Sequence, residues 1–591
     1  MKVAVILVAI SLAAAALAAE RSAPLKHSDV VFMYVAPVDT YKAYAGTVVD
    51  WGGHPGDDAD IARFAESRVR PAHDLGMEYV AGVGMVTEFA RFIDREPEWE
   101  KCICLTVEGE RIKVPWLWDH SHKGVPAYWF CTNSPPFRKF LEDMVVLAMK
   151  TGADGLHVDD HLGTAGSGWS GGCYCAYCMA AFREYLRGNV SPEELAKAGV
   201  TSLDGFDYRA FVLKWQQDHP GSKEAKPLQH EFAVFQARAA AGVMAGLRDL
   251  GQRTAGKPIK MSANAGMPSA THLIDYESLD YFCCEVNHEA PQQKPSDHPL
   301  VGYHLAEGFG RPVVATAAGQ DWAFIKEHSL PGLVRQWIAE AYASGHYFMV
   351  PHHQWCYTQE KGTHWYDGRP EDFAGLYQFV RSNAPLFDDH EPVVRVGVLY
   401  SNTAYRNGDR SFDAICQALA RANVPFGVAA AGDEFVPKAL TAEDLARFDT
   451  LITFASAKLD ERSAAAVDAW AKKGRLIVWR DEADLLGQVA SPVAVEGAEH
   501  IWVLPRARPG GGARSLVCHL VNRNYDAAKD GPSPLKDVTV ELRRVLDGPR
   551  PRRCTLYQPG EAPVELQVDA DADRIRVTVP ELELWGVLAF A

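Results

Sequence analysis

Two adjacent carboxylates, Asp159 and Asp160, stand out in the stretch GADGLHVDDHLG as the residues best placed for chemistry. Residues 155–158 read as a short buried strand, and the acid pair stands where a parallel strand gives way to its loop, the position from which barrel enzymes work. LDYFCCEVNHEA supplies another acid, Glu285, at the C-terminal end of a later strand, with Glu289 a little beyond. Two carboxyls on one rim can divide acid and base work across a scissile bond. Asp159 is then the nucleophile or base and Glu285 the acid, while Asp160 supports them or takes the acid role itself. The alternative is that one Asp of the pair only binds backbone amides of its own loop.

A Gly- and Ser-rich run after the acid pair leads into Cys173, Cys175 and Cys178. This C-x-C-x-x-C spacing gives three thiolates that a tetrahedral ion can gather, whereas two cysteines one residue apart are poorly placed to pair with each other. A disulfide remains open as the alternative if the chain is exported to an oxidising compartment. Cys102 with Cys104, and Cys283 with Cys284, lack such spacing and read as buried residues or an isolated bridge.

Amides, imidazoles and aromatic platforms are what a hydroxyl-rich ring needs. Candidates for such contacts are Asn133, His157, Asn264, Asn287, His288, His352, His353, Gln354 and Trp355, nearly all at expected strand ends. Adjacent histidines on a strand end point apart, so His352 and His353 do not suggest a catalytic metal. Asp119, His120 and His122 read as polar contacts, and Trp51 and His54 as a wall of the cleft. Fifteen Trp and 21 Tyr suit a sugar binder, although many must serve as core.

These residues need a scaffold that aims strand ends at one cavity. Between residues 28 and 385, short β-rich runs alternate with helical patterns, giving strands at 30–35, 78–83, 128–132, 155–158, 259–263, 281–284, 312–316 and 347–350. Eight β/α alternations argue for a (β/α)8 TIM barrel. The helix between the third and fourth runs has Ser134 placed to cap it, Pro135 in its first turn, and Phe137, Phe140, Leu141, Met144 and Val145 on one face until Gly152. Long helical insertions are expected over 191–251. From 392 to 492, strands at 394–400, 451–454 and 476–479 alternate with helices at 412–423 and 462–473, a smaller doubly wound α/β domain. Alternating strands over 499–591 argue for a C-terminal β-sandwich.

At 591 residues the chain is too long for one core. A net charge of -16 without a basic block disfavours binding to a nucleic-acid backbone, and no nucleic-acid partner is expected. Residues 1–19, one Lys and then an unbroken apolar run with Ala16 and Ala18 before the junction, read as a signal peptide. An uncleaved anchor is the alternative. With the signal removed, the expectation is an exported protein, periplasmic or extracellular, with no stable membrane association.

The segments CTNSPPF (Cys131–Thr132–Asn133 onward) and CYCAYCMAAFREYL resemble glycoside hydrolase family 42, the β-galactosidase family, as does the domain order. The resemblance implies that Cys131, Cys173, Cys175 and Cys178 hold a structural zinc, with no catalytic cofactor. It also implies an amidotransferase-like middle domain that helps build a homo-oligomer, plausibly a trimer. Cys416 lies mid-helix in SFDAICQALA and not on a glycine-flanked elbow, so it reads as core and not as a nucleophile.

The family carries an Asn-Glu pair after strand four and a nucleophilic Glu after strand seven. Here the first becomes Asp159–Asp160, and PVVATAAGQDWAF puts Ala315 or a near neighbour where the nucleophile belongs, with no carboxylate until Asp321. The pairing of Asp159 with Glu285 instead resembles the α-galactosidase and related barrel clans. The resulting expectation is a glycoside hydrolase acting on an oligo- or polysaccharide, galactoside-like substrates included. Its rival is a carbohydrate-binding or assembly protein that kept the barrel and lost the nucleophile.

Overall fold

Eight short parallel strands carry the architecture, and their lengths explain which of them the sequence reveals. The computed structural model describes residues 21–543, 550–571 and 573–591, so the expected leader at 1–19 lies outside the described residues. Strands β1 (Val31–Met33), β2 (Val48–Asp50), β3 (Glu78–Gly84), β4 (Gly155–Asp159), β5 (Lys260–Asn264), β6 (Tyr281–Val286), β7 (Val313–Ala317) and β8 (Tyr347–Phe348) pair in chain order, each parallel to the next. A parallel bridge between Phe32 and Val350, with the Val350 amide donating to Val31 O at 2.9 Å, brings the last strand back to the first. The sheet thus nearly closes on itself as a (β/α)8 barrel. Strands covered on both faces read as apolar runs instead of alternating ones, which is why most of these were visible.

Two expected strands are corrected. The second strand is β2, three buried residues too brief to register, and the run at 78–83 is the third. Residues 128–132 are not in the barrel. Phe130 bridges Ile103 and Tyr128 bridges Lys113, both antiparallel, within the long connection after β3. The β-like composition is met by local partners, and the two errors cancel in number, so β4 keeps its expected place.

Helix α1 (Pro135–Lys150) buries Phe137, Phe140, Leu141, Met144 and Val145 as expected, and Gly152 lies just past its end at φ +89. Ser134 does not cap it, because its hydroxyl turns to the Cys102 sulfur at 3.0 Å. Helix α2 (Ala176–Asn189) and the 27-residue α3 (Gln229–Ala255) follow β4, α3 packing across α1 and α2. After β8 the chain forms an antiparallel hairpin, β9 (Gln354–Thr358) with β10 (Gly362–Tyr366).

A second parallel sheet has the order β12–β11–β13–β14, from β11 (Val396–Ser401), β12 (Phe426–Ala431), β13 (Thr450–Phe454) and β14 (Arg475–Trp479). β12 escaped the sequence reading because FGVAAA is poor in β-branched residues, and burial overrides that weak propensity. Cys416 is buried inside the helix Ser411–Arg421. Beyond it lie a six-stranded and a four-stranded antiparallel sheet, which also take in Glu391–Pro392 and Val493–Glu496. These two segments flank the α/β unit, which is therefore an excursion from the C-terminal sheets. Arg523, on the loop after the strand Leu516–Asn522, ties those sheets to the barrel, donating to Glu340 at 2.8 Å and Asp297 at 2.6 Å.

Candidate active site

The C-terminal rim of the barrel surrounds a cleft of about 630 Å³, into which β4 sends Asp159 and Asp160, β5 sends Asn264 and β6 sends Glu285. Asn264 Nδ2 donates to Asp159 Oδ1 at 3.1 Å, and the Asp160 amide donates to the same oxygen at 3.1 Å. Burial raises Asp159 above the usual carboxylate range, and these two donors oppose the rise by favouring its ionised form. Burial, and then the Asp159 charge, push Glu285 up to about 8. Asp160 is raised well above its ordinary value by burial and by both neighbouring acids, and its Oδ2 has no hydrogen-bond partner among the described residues. Near neutral pH Glu285 is thus held protonated, while the two donors on Asp159 work toward its ionised form, the division of roles that acid/base chemistry needs.

Three cleft residues stand one position past their strands in left-handed backbone: Tyr34 after β1 (φ 67), Trp51 after β2 (φ 53) and Asp160 after β4 (φ 54). Non-glycine residues rarely adopt this conformation, and such strain gathers where structure serves function. Its effect here is to turn a phenol, an indole and a carboxyl into one space. Tyr34 is raised well above its usual range by burial, then by Asp159 and Glu285.

Aromatic side chains wall the cleft. The connection after β3 contributes Trp116 and Trp129, packed edge to face at 5.6 Å, and the hairpin contributes Trp355, Tyr357 and Trp365. Gly319 permits this wall, since a Cβ there would lie 2.6 Å from the Trp355 ring. The two walls are joined where the Thr363 amide donates to Asp119 at 3.1 Å. On the opposite side, the Gly266 amide donates to His272 Nδ1 at 3.1 Å, which makes that nitrogen an acceptor. His161 Nε2 lies 3.0 Å from the same nitrogen, and His161 Nδ1 lies 2.7 Å from Asp275. The Nε2–H of His272 is left for the cleft, and burial holds that ring neutral by lowering it to about 3.

Of the residues expected at the site, Asp159, Asp160, Glu285, Asn264 and Trp355 line the cleft, joined by Trp51 and His120. Others serve elsewhere. His157 lies beneath the cleft under Trp51, at 4.0 Å, with its Nδ1 2.9 Å from Ser262. It belongs to a buried network in which Asp50 accepts from Tyr281 at 2.9 Å and from Ser262 at 3.2 Å. His288 is buried against Trp337, and Gln354 is buried with Thr316 and Val350 O as partners. Asn287 is exposed and accepts from the Glu289 amide. His352 packs on Phe32, and His353 stacks on Trp365 at 4.3 Å while pairing with Asp367. His54 pairs with Glu88 and His122 with Asp94, both away from the cleft. Strand ends alternate their side chains between cavity and surround, and single positions cannot be assigned from sequence without the register.

Tyr34, Trp116, Trp169, Trp365, His161 and His272 line the cleft but were not singled out beforehand. His161 directly follows the acid pair, and that adjacency was the available signal. On β7, Ala315 is buried in the barrel, and Asp321 accepts from the amides of His288 and Ala290 at 2.6 and 2.8 Å. Strand seven therefore contributes no carboxylate to the cleft.

Cys131, Cys173, Cys175 and Cys178 converge behind the cleft, all buried, with their sulfurs within 4.8 Å of one another. Cys131 and Cys178 sulfurs are 3.4 Å apart, too far for a disulfide and close to the roughly 3.8 Å edge of a tetrahedron built on Zn–S bonds of about 2.3 Å. Burial disfavours thiolates here, yet hydrogen bonds among the sulfurs outweigh it and lower Cys131 and Cys173. Asn133 is part of this cluster and not of the cleft, donating to Cys178 at 3.3 Å.

No protein-family model matches the chain. It is 25% identical over 597 aligned residues to an alpha-agarase of Thalassotalea agarivorans, covering 95% of this chain and 40% of that protein. It is 23% identical over 619 to an alpha-agarase of Alteromonas agarilytica, covering 95% and 41%. The chain thus spans about two fifths of the length of these curated relatives. Among solved structures, it superposes on alpha-L-fucosidase isoenzyme 2 from Paenibacillus thiaminolyticus with a TM-score of 0.63 at 12% identity, covering 96% of this chain and 100% of that one. A beta-galactosidase from the psychrophilic Marinomonas ef1 gives 0.55 at 11% identity, covering 95% and 100%. These structures share the fold.

Proposed function

We propose that this chain is the catalytic part of an exported glycoside hydrolase that cleaves a polysaccharide, agar being the substrate its relatives' names suggest. The observation that carries the reading is the pairing of Asp159 and Glu285 in an aromatic-walled cleft, where Glu285 is held protonated and two hydrogen-bond donors favour the charged form of Asp159. Asp159, in its ionised form, which its two donors favour, attacks the anomeric carbon or activates water, and Glu285 gives its proton to the departing oxygen. Asp160 stays protonated beside them as a hydrogen-bond donor. A family-42-like scaffold that keeps an acid after β4 and takes its second from β6 instead of β7 accounts for both the cysteine cluster and the bare strand seven. Incubating the purified chain with agarose and following new reducing ends tests the reading. A chain that binds agarose without releasing any would instead be a binding protein on a hydrolase scaffold.

The four thiols fit a closed structural zinc, which would clamp the segment at Cys131 to α2 and to the turn carrying Trp169, away from the reacting bond. Homo-oligomerisation, as a trimer through the α/β unit, is supported by Leu476 and Val478. These are 42% and 48% exposed on β14, the edge strand of its sheet. Light scattering reporting a monomer would remove that part of the proposal. The exported location rests on the apolar run at 1–19; N-terminal sequencing of secreted protein tests it.

A further inference from the structure

The cleft has a neighbour. A second cavity of about 770 Å³ lies between the barrel and the α/β unit, and the two share Leu162 and Trp169 as lining. Trp169 is 58% exposed although it is a large apolar ring, and nothing among the described residues covers it. It is nonetheless held in place, edge-on to Trp116 at 6.2 Å and stacked on His272 at 6.1 Å. Its backbone belongs to the helical turn Gly163–Ser170, anchored where the Thr132 amide donates to Thr164 at 2.6 Å, one residue from the thiol cluster. A rigid aromatic face standing between two cavities is a stacking platform open to both.

The far wall of the second cavity has the same chemistry as the cleft. Arg406 lies 3.8 Å over Phe435, and Arg410 lies 4.1 Å over Tyr405. Gln229, at the start of α3, and Gln216 add amides. The guanidinium charges are countered locally, Arg406 by Asp433 at 2.9 Å and Glu434 at 3.0 Å, and Arg410 by Asp413 at 3.9 Å. Aromatic faces with neutralised donors suit uncharged hydroxyl-rich rings better than phosphate or sulfate.

We infer that the second cavity binds further sugar residues of the glycan held in the cleft, the chain crossing at Trp169. This rests on the reading of the cleft as a glycan site. It makes the enzyme one that grips the interior of a long, uncharged polysaccharide, with binding energy gathered on both sides of the barrel mouth.

The test uses the full chain and an agaro-oligosaccharide ladder from two to ten sugars. Ala233 is an exposed residue of α3 lining the second cavity, so Ala233→Trp fills that space without removing a core contact. In the unsubstituted chain, kcat/KM should rise by about tenfold or more once oligosaccharides are long enough to pass Trp169. Ala233→Trp and Trp169→Ala should each remove most of that long-over-short ratio, with thermal midpoints close to the parent's. A ratio that survives Ala233→Trp overturns the inference. If no oligosaccharide is cleaved, the hydrolase reading fails separately, and calorimetric binding of the same ladder decides this one. Affinity that grows with length and is lost in Ala233→Trp supports it; affinity absent, or independent of length or of the substitution, overturns it.

Discussion

Asn264 reaches from the end of β5 to the carboxylate of Asp159 on β4, 3.1 Å away, and opposes the upward shift of Glu285 on β6 as well. One amide therefore favours the charged form of two acids against the burial that raises both. Its removal should raise both, because a donor that favours the ionised form is lost. Asn264→Ala should lower turnover and move the acid limb of the pH–rate profile upward. A profile unchanged in shape would mean that Asn264 serves only in packing.

Asp159→Asn and Glu285→Gln should each lower kcat by roughly 10²–10⁴, the usual range for loss of an acid, base or nucleophile, with no loss of thermal stability. Asp160→Asn keeps the left-handed backbone within reach of the side chain and should lower kcat less. Should Asp160→Asn prove as damaging as Glu285→Gln, the acid role belongs to Asp160. Stopped assays with agarose separate these outcomes.

The rate should rise with pH as Asp159 ionises, and fall as pH passes about 8, where Glu285 gives up its proton. The apparent values belong to the coupled pair. Stability has its own sign. The folded-state value of Glu285 is raised from 4.5 to about 8, so its contribution is fully present below pH 4.5 and declines as pH climbs toward 8. Glu285→Gln should therefore stabilise the fold at pH 8–9, by on the order of a few kcal/mol at most, and change little at pH 4. Thermal midpoints at both pH values check this.

Purified protein should carry about one zinc per chain, held by the four converging thiols. Chelation, or Cys173→Ser, should release it and lower the thermal midpoint. Elemental analysis finding no zinc, together with four thiols freely titratable in the native state, would contradict the site.

Arg523 should be worth more than a surface ion pair, because Glu340 is only 3% exposed and Arg523 11%. Removing one partner leaves a buried charge uncompensated, so Arg523→Ala should destabilise by about 3–5 kcal/mol, and adding Glu340→Gln should recover part of it. A double-mutant cycle by thermal unfolding checks the coupling.

Much of the fold was legible in the chain itself. Strands buried on both faces leave unbroken apolar runs such as 155–158 and 281–284, and α1 repeats its apolar face every three to four residues, so barrel and helices could be placed by period alone. The acid pair, Glu285 and the C-x-C-x-x-C run were visible because their residue types and spacing carry chemistry wherever they fold. The tertiary structure decided what period cannot encode. β2, only three residues long, gains its identity from its neighbours in the sheet, while 128–132 loses its expected place to local antiparallel partners. Strand register decided that Asn264 faces the cleft while Gln354 and His288 face the core. Trp169, Trp116 and Trp365 come from three separate segments, and no spacing in one dimension announces that they share a cleft. The protonation states were settled last, since burial and the charge of a residue 126 positions away in the chain set the Glu285 carboxyl, and both exist only once the barrel has formed.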